Sequence, residues 1–306
     1  MSHAHRPHNT LSRGWLWDTL AGELTQVWRL NINNINVQCY AAGDTGPPVI
    51  LLHGAGVDSA LISWGEIIEP LSETNRVFAP DLPGYGKSDK PDIEYSLSFY
   101  VEFLKQFMQT LDFDQASLIG LSLGGGISLK FALEYPTRVE KLILVDAWGI
   151  FNKLPYHRLS YWYTKTFFNE LSYKLSSKSR AFVKWTLLNS LFGDPNQLSE
   201  ELVDEVQEAL KAPDAGKAFI SFQRSEITKT GLRTNLAGRF SEIKNSTLIV
   251  HGTDDSSVPV KYAKQAHDGI QGSEIYLMEG CKHWPQKERP DEFSKVIKSF
   301  LSKDYS

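Results

Sequence analysis

Between residues 47 and 149 the chain repeats one pattern, a short apolar run followed by an amphipathic stretch and then another apolar run. Few folds accept it. Val49-Ile50-Leu51-Leu52, Arg76-Val77-Phe78-Ala79, Ala116-Ser117-Leu118-Ile119 and Lys141-Leu142-Ile143-Leu144-Val145 have the length and composition of buried strands. Between them, Leu97, Tyr100, Leu104, Phe107 and Leu111 recur at steps of three and four, which sets them on one face of a helix. Strand, helix, strand at this spacing predicts parallel neighbours. Parallel strands need crossovers that cover both faces of the sheet, and this explains strands that are apolar throughout instead of alternating.

The same grammar returns at residues 247–250, a helical stretch over 261–270 and a further strand at 274–277. A last helix carries Phe293, Val296, Ile297, Phe300 and Leu301 on one face, with Pro290 in its first turn, where a missing N–H costs nothing. Ahead of the sheet, residues 27–32 and 35–40 alternate as strands with one wet face. Asn33-Asn34 joins them, because asparagine tolerates the left-handed backbone of a two-residue hairpin turn. Between residues 150 and 240 the alternation stops and helical spacing takes over, as at Leu202, Val206, Ala209 and Leu210. The expected organisation is an N-terminal tail and short helix over 1–26, a core of 27–149 with 241–306, and a helical insertion over 150–240. Set between two strands of one sheet, the insertion should fold over the carboxyl edge, where open α/β sheets bind ligands.

Composition excludes several other classes. A chain of 306 residues with 42% hydrophobic and 22% charged residues is neither disordered nor a coiled coil. A net charge of -4 gives no reason to expect nucleic acid or an anionic membrane surface as partner. No apolar run reaches the length that spans a bilayer, and the stretch from Leu11 to Leu20 is too broken for a signal peptide. Cys39 and Cys281 lack the spacing of a zinc site or disulfide framework, so a reducing, cytoplasmic compartment is expected. His3, His5 and His8 read as a histidine-rich tail, and no metal site or cofactor is assigned.

Chemistry enters at Gly120-Leu121-Ser122-Leu123-Gly124, which follows a strand and precedes a helix. A serine on a sharp strand-to-helix turn exposes its hydroxyl, and glycines two residues away on either side let neighbouring chain approach. The helix that follows points its first amides at the serine, so Leu123 N–H can donate to an oxyanion. A second donor is expected from His53-Gly54-Ala55-Gly56, with Ala55 first and Gly54 or Gly56 as alternatives, while His53 is expected to fix the loop. The loop Gly280-Cys281-Lys282-His283-Trp284 after the last strand supplies His283 as general base. Its acid should follow residues 247–250, where Asp254 and Asp255 both qualify by position.

With Ser122, an aspartate and His283 in this order, the chain resembles an α/β-hydrolase with a helical cap from about residue 27 to 301. The resemblance selects Asp255, which occupies the aspartate of a Gly-x-x-Asp-x-x-Val-Pro stretch, and it gives Asp81 of Asp81-Leu82-Pro83-Gly84 a structural role. It implies a serine hydrolase that needs no cofactor and acts on a small molecule, with Gly54 and Trp284 beside the substrate. Haloalkane dehalogenases and epoxide hydrolases use an aspartate where this chain has Ser122.

Within the fold, His283-Trp284 and Leu133-Glu134-Tyr135-Pro136 resemble the meta-cleavage product hydrolases, which split carbon-carbon bonds. Leu121, where those enzymes carry asparagine, and the short His53 to Gly56 loop depart from that pattern. A cap arginine for the substrate carboxylate is also expected there, with Arg180, Arg158 and Arg224 as candidates. The leading expectation is hydrolysis of a carboxylic ester or related acyl compound through an acyl-enzyme. Carbon-carbon hydrolysis and a small-molecule receptor that keeps the triad are the alternatives. Tyr161, Trp162, Phe167, Phe168 and Trp185 suit an apolar pocket or the packing of the insertion.

Overall fold

The computed structural model describes residues 25–304. One sheet is built from β1 (Gln26–Ile32), β2 (Ile35–Ala42), β3 (Pro48–Leu52), β4 (Arg76–Pro80), β5 (Ala116–Leu121), β6 (Val139–Val145), β7 (Ser246–Gly252) and β8 (Glu274–Met278). Its helices are α1 (Ala60–Ser72), α2 (Leu97–Thr110), α3 (Leu123–Glu134), α4 (His157–Thr164), α5 (Phe168–Ser176), α6 (Arg180–Ser190), α7 (Glu200–Lys211), α8 (Lys217–Glu226), α9 (Lys261–Gly269), α10 (Pro285–Glu288) and α11 (Pro290–Leu301). The strand order is β1-β2-β4-β3-β5-β6-β7-β8, with β2 antiparallel to both β1 and β4. Every other neighbouring pair is parallel. This is the mostly parallel, helix-covered sheet expected from the alternation of runs.

The apolar strands divide their side chains between two cores. Val49 and Leu51 of β3 point to one side, where they meet Trp64, Ile67 and Leu71 of α1 and Phe293, Ile297 and Phe300 of α11. Ile50 and Leu52 point to the other, toward Tyr100, Leu104 and Phe107 of α2 and Ile127 and Phe131 of α3. All four β3 residues are fully buried. Burial on both faces is why a period-2 element shows no polar alternation in its sequence.

Strand ends differ from expectation by a residue or two, with one consequence. The predicted strand ending at Ile119 runs on as β5 to Leu121, so Ser122 follows the strand directly. The sequence pattern gave no helix at α1, which begins in the expected loop region. Its start is set by Ser59, whose hydroxyl accepts a hydrogen bond from Ile62 N–H. Helices α4 to α8 all lie between β6 and β7 in the chain, and α7 rests against α1. The tail histidines His3, His5 and His8 lie outside the described residues. Among the described residues, no helix is long and apolar enough to cross a membrane.

At the hairpin between β1 and β2, Asn33 and Asn34 have φ of 50° and 64°, and Ile32 pairs with Ile35 across the turn. Both asparagines adopt the left-handed backbone that a two-residue turn of this hand demands. Asn34→Val should therefore cost about 1–2 kcal/mol, the ordinary penalty for a side chain forced into this region. Asn34→Gly should cost nothing or stabilise the fold. Urea denaturation of the two variants beside the parent checks the ordering.

Candidate active site

Ser122 is held at φ 49° and ψ -110°, a conformation that costs a non-glycine residue energy and persists only where surroundings enforce it. The enforcement is visible. Ser122 N–H donates to Val145 O of β6 at 2.9 Å, while Ser122 O accepts from Trp148 N–H at 2.8 Å and Gly126 N–H at 3.0 Å. The flanking glycines are there for space. A Cβ on Gly120 would lie 2.2 Å from Gly124 O, and one on Gly124 would lie 2.1 Å from Leu52 O. Leu123 is the first residue of α3, so its N–H has no acceptor within the helix and lies beside the serine.

The loop after β3 is fixed by two buried groups. Leu82 N–H donates to His53 Nε2 at 3.0 Å, so the ring proton sits on Nδ1 and is donated to Gly54 O at 2.7 Å. That leaves the imidazole neutral. Burial pushes its pKa down to about 4, against the partial opposition of the Gly54 hydrogen bond. Asp58, also buried, accepts from Gly54 N–H at 2.8 Å, from Ser59 N–H at 2.8 Å and from the Ser63 hydroxyl. Burial raises its carboxyl to about 7 despite these donors. Because Gly54 N–H is committed to Asp58, it is not available to a substrate, and Ala55 is the next amide along a loop that lines the cavity over Ser122. Asp81 is a buried anchor of the same kind, accepting from Ala60 N–H and Lys87 N–H, each at 2.8 Å.

His283 Nδ1 lies 2.7 Å from Asp255 Oδ2, whose other oxygen accepts from Ser257 N–H at 2.7 Å and Val258 N–H at 3.1 Å. Asp254 is exposed and turned away, accepting only from its neighbour Thr253. The two aspartates that sequence position could not separate are thus separated by geometry. Burial works to raise the Asp255 pKa, but the imidazole of His283 prevails and holds the carboxyl below its usual value. Glu288, buried at the end of α10, fixes the histidine loop to the insertion. It accepts from Lys282 N–H at 3.3 Å, Gly193 N–H at 3.0 Å and Asp194 N–H at 2.7 Å.

Behind Asp255 lies a group the sequence reading missed. Asp146 directly follows β6, is completely buried, and accepts from Gly252 N–H at 3.2 Å. Its Oδ1 is 3.4 Å from His251 Nδ1, its Oδ2 has no hydrogen-bond partner among the described residues, and its carboxyl group lies against that of Asp255. Burial first and the Asp255 charge second push the Asp146 pKa well above the carboxylate range, so Asp146 holds a proton and can donate it to Asp255. Burial keeps His251 neutral, with Nε2–H directed to Val258 O at 2.7 Å. Donor atoms of Asp146, His251 and Asp255 lie within 4.8 Å of one another, a spacing that a metal could use. One proton on Asp146 already balances this cluster, and Asp255 is committed to His283. The sequence signal was a lone acid at the carboxyl end of a buried strand, the position from which sheets of this kind present functional groups.

Ser122 and His283 open on one cavity of about 550 Å³, within the usual range for small-molecule sites. Gly54, Ala55, Leu123 and Trp284 line it as well, together with Leu154, Tyr173, Val183 and Leu187 from the insertion. The aromatic residues that the sequence offered either to a pocket or to the packing of the insertion do not line the cavity. Trp162, Phe167, Phe168 and Trp185 are exposed, at 61%, 66%, 56% and 58%, because they lie on the outward faces of their helices. Nor does an arginine enter. Arg180 pairs with Glu200 and Asp204, Arg224 pairs with Glu170, and Arg158 is exposed.

Comparison with known proteins agrees with this fold. The family described as alpha/beta hydrolase fold matches residues 47–290. A 2-hydroxy-6-oxo-2,4-heptadienoate hydrolase of Pseudomonas putida is 29% identical over 260 residues, covering 84% of this chain and 90% of that protein. A meta-cleavage product hydrolase of Pseudomonas fluorescens superposes with a TM-score of 0.77 at 25% identity, over 93% of this chain and 98% of that one. A carboxylesterase of Bacillus subtilis shares the fold with a TM-score of 0.74 at 21% identity, over 93% and 94% of the two chains.

The neutral His53 gives a pH-dependent test. Its folded pKa of about 4 lies below the ordinary 6.5, so the stability it contributes is complete above pH 6.5 and is lost as pH falls toward 4. The advantage of the parent protein over His53→Phe should shrink by about 1.4 kcal/mol per pH unit in that window, about 3 kcal/mol in all. Urea denaturation of both proteins at several pH values measures it. A constant difference would mean that the ring is not held neutral.

Proposed function

Because the chain belongs to the α/β-hydrolase fold family and is a serine hydrolase, we propose that it cleaves an uncharged, largely apolar carboxylic ester through an acyl-enzyme. The reading is carried by the cavity. Its walls over Ser122 and His283 are mainly apolar, and among the described residues no lysine or arginine lines them. A substrate carboxylate bound there would lose its hydration without gaining a counter-charge, at a cost of several kcal/mol. A neutral acyl chain meets no such penalty.

In this mechanism Ser122 Oγ attacks the ester carbonyl while His283 takes its proton, and Asp255 holds the ring with its free nitrogen toward the serine. The N–H groups of Leu123 and Ala55 stabilise the oxyanion. His283 then protonates the leaving alcohol. Water, deprotonated by His283, attacks the acyl-enzyme, releases the acid and restores Ser122. Asp146, protonated behind Asp255, keeps that carboxylate in place without adding a second negative charge.

A second reading has its own support. The Pseudomonas putida and Pseudomonas fluorescens relatives are named a 2-hydroxy-6-oxo-2,4-heptadienoate hydrolase and a meta-cleavage product hydrolase, and His283-Trp284 is a point of resemblance to the latter group, whose reaction is carbon-carbon hydrolysis. Such a substrate carries a carboxylate, which this cavity is poorly equipped to receive. A panel of neutral p-nitrophenyl esters of increasing chain length beside a 2-hydroxy-6-oxo-dienoate separates the two. The ester reading expects multiple turnovers on the esters, with at least about a hundredfold higher kcat/KM than on the dienoate, given what an unpaired carboxylate costs. The reverse preference would establish the carbon-carbon reading. A single turnover that leaves a stable adduct would favour a receptor.

Two sets of variants test the residues. Ser122→Ala should fold normally, lose labelling by a fluorophosphonate and lose nearly all turnover. Labelling that persists at another serine would overturn the assignment. Asp255→Asn removes the charge and favours the wrong imidazole tautomer, so turnover should fall by up to about 10⁴. Asp254→Asn should stay within a few-fold of the parent, since that carboxylate does not reach His283.

A further inference from the structure

Helices α4, α5 and α6 carry apolar residues on both sides. Their inward positions line the cavity with serines such as Ser172 and Ser176 beside Tyr173, Val183 and Leu187. Their outward positions carry the large apolar residues. Of the eleven large hydrophobic side chains exposed among the described residues, ten lie between residues 156 and 185. They fall at helical spacing on each element, as Leu159, Trp162 and Tyr163 on α4, Leu171 and Leu175 on α5, and Phe182 and Trp185 on α6. Consecutive helices of the three pack on one another. Scattered exposed apolar residues need no account, but this concentration on one segment does.

Charge identifies what covers it. Residues 153–185 hold seven lysines and arginines against one glutamate, a net +6 in a chain whose total is -4. Arg180 and Lys184 are paired with acids of α7. Lys153, Arg158, Lys174 and Lys178 are exposed and have no acidic partner among the described residues. Tryptophan, tyrosine, phenylalanine and leucine beside unpaired lysine and arginine is the composition of helices that lie in the interface of an anionic bilayer. There the apolar side chains enter the headgroup boundary and the cations meet lipid charge. A protein partner of ordinary surface composition would supply no reason for cations around an apolar face. The whole-chain charge, which argues against a membrane partner, averages this segment with an acidic remainder.

We propose that α4, α5 and α6 dock the protein on an anionic membrane surface, with Trp162, Phe167 and Trp185 inserted and Lys153, Arg158, Lys174 and Lys178 against the headgroups. The same helices wall the cavity, so docking places its insertion side at the lipid. The binding stands independently of which bond the active site cleaves.

The test is co-sedimentation of the full chain with vesicles of equal parts phosphatidylglycerol and phosphatidylcholine, and with vesicles of phosphatidylcholine alone. The protein should partition to the anionic vesicles at least about tenfold more strongly, and added salt should weaken that binding. The triple variant Trp162→Ser, Phe167→Ser, Trp185→Ser changes only exposed side chains and should lose at least about tenfold in partitioning. Its circular dichroism and thermal midpoint should match the parent. Lys153→Glu with Lys174→Glu should remove the preference for anionic lipid while leaving the fold intact. Absence of the parent protein from the anionic vesicles, or undiminished binding by the folded triple variant, would sink the proposal. So would light scattering that shows a dimer which the triple variant alone converts to monomer, since the face would then be covered by a second copy.

Discussion

The strained backbone of Ser122 is the point on which the rest of the site depends. A positive φ at a serine survives only if its neighbours leave no cheaper arrangement, and here β5, β6 and α3 meet around it. Val145 O fixes the N–H, Trp148 and Gly126 fix the carbonyl, and the flanking glycines remove the side chains that would otherwise push α3 away from β5 and β3. The parallel sheet, buried on both faces, makes this rigid. A serine on a surface loop would relax to an ordinary conformation and lose its exposure at the head of a helix.

Around that turn, several buried titratable groups act as fasteners instead of reactants. His53 and Asp58 hold the carbonyl and the N–H of Gly54 in the loop that carries Ala55, and Asp81 ties the chain between β4 and α2 to the start of α1. Their fixed hydrogen bonds stiffen backbone that has no secondary structure of its own. Asp146 stands apart because it lies against another carboxyl group. Two neighbouring carboxyls in a dry site cannot both ionise cheaply, so the proton settles on the more deeply buried Asp146 and the charge stays on Asp255, which has His283 and two backbone amides to stabilise it.

The insertion solves a different problem. Its inward surface completes a cavity that the sheet alone leaves open, while its outward surface carries large apolar side chains that water does not favour, beside basic ones. Those two properties belong to the same three helices. The proposed membrane docking would therefore act on the same helices that shape the cavity.

By itself the sequence determined a mostly parallel sheet and the serine turn, while the order of the strands came from the structure. Both-face burial writes itself as apolar runs, and a nucleophile turn needs glycines at fixed positions around Ser122. It also pointed to His283, because few histidines follow a strand at the carboxyl edge. Position in the sequence left Asp254 and Asp255 level and only the family resemblance preferred Asp255; the structure shows why they differ, since adjacent loop residues are told apart by where the backbone turns their side chains. Tertiary structure alone picked out Asp146, which is remote from His283 in sequence and acquires its role only when β6 and β7 lie side by side. In the insertion, aromatic content was legible but its direction was not. A helix presents its residues around a full circle, and only packing decides which arc becomes cavity wall and which, as with Trp162 and Trp185, is left facing outward.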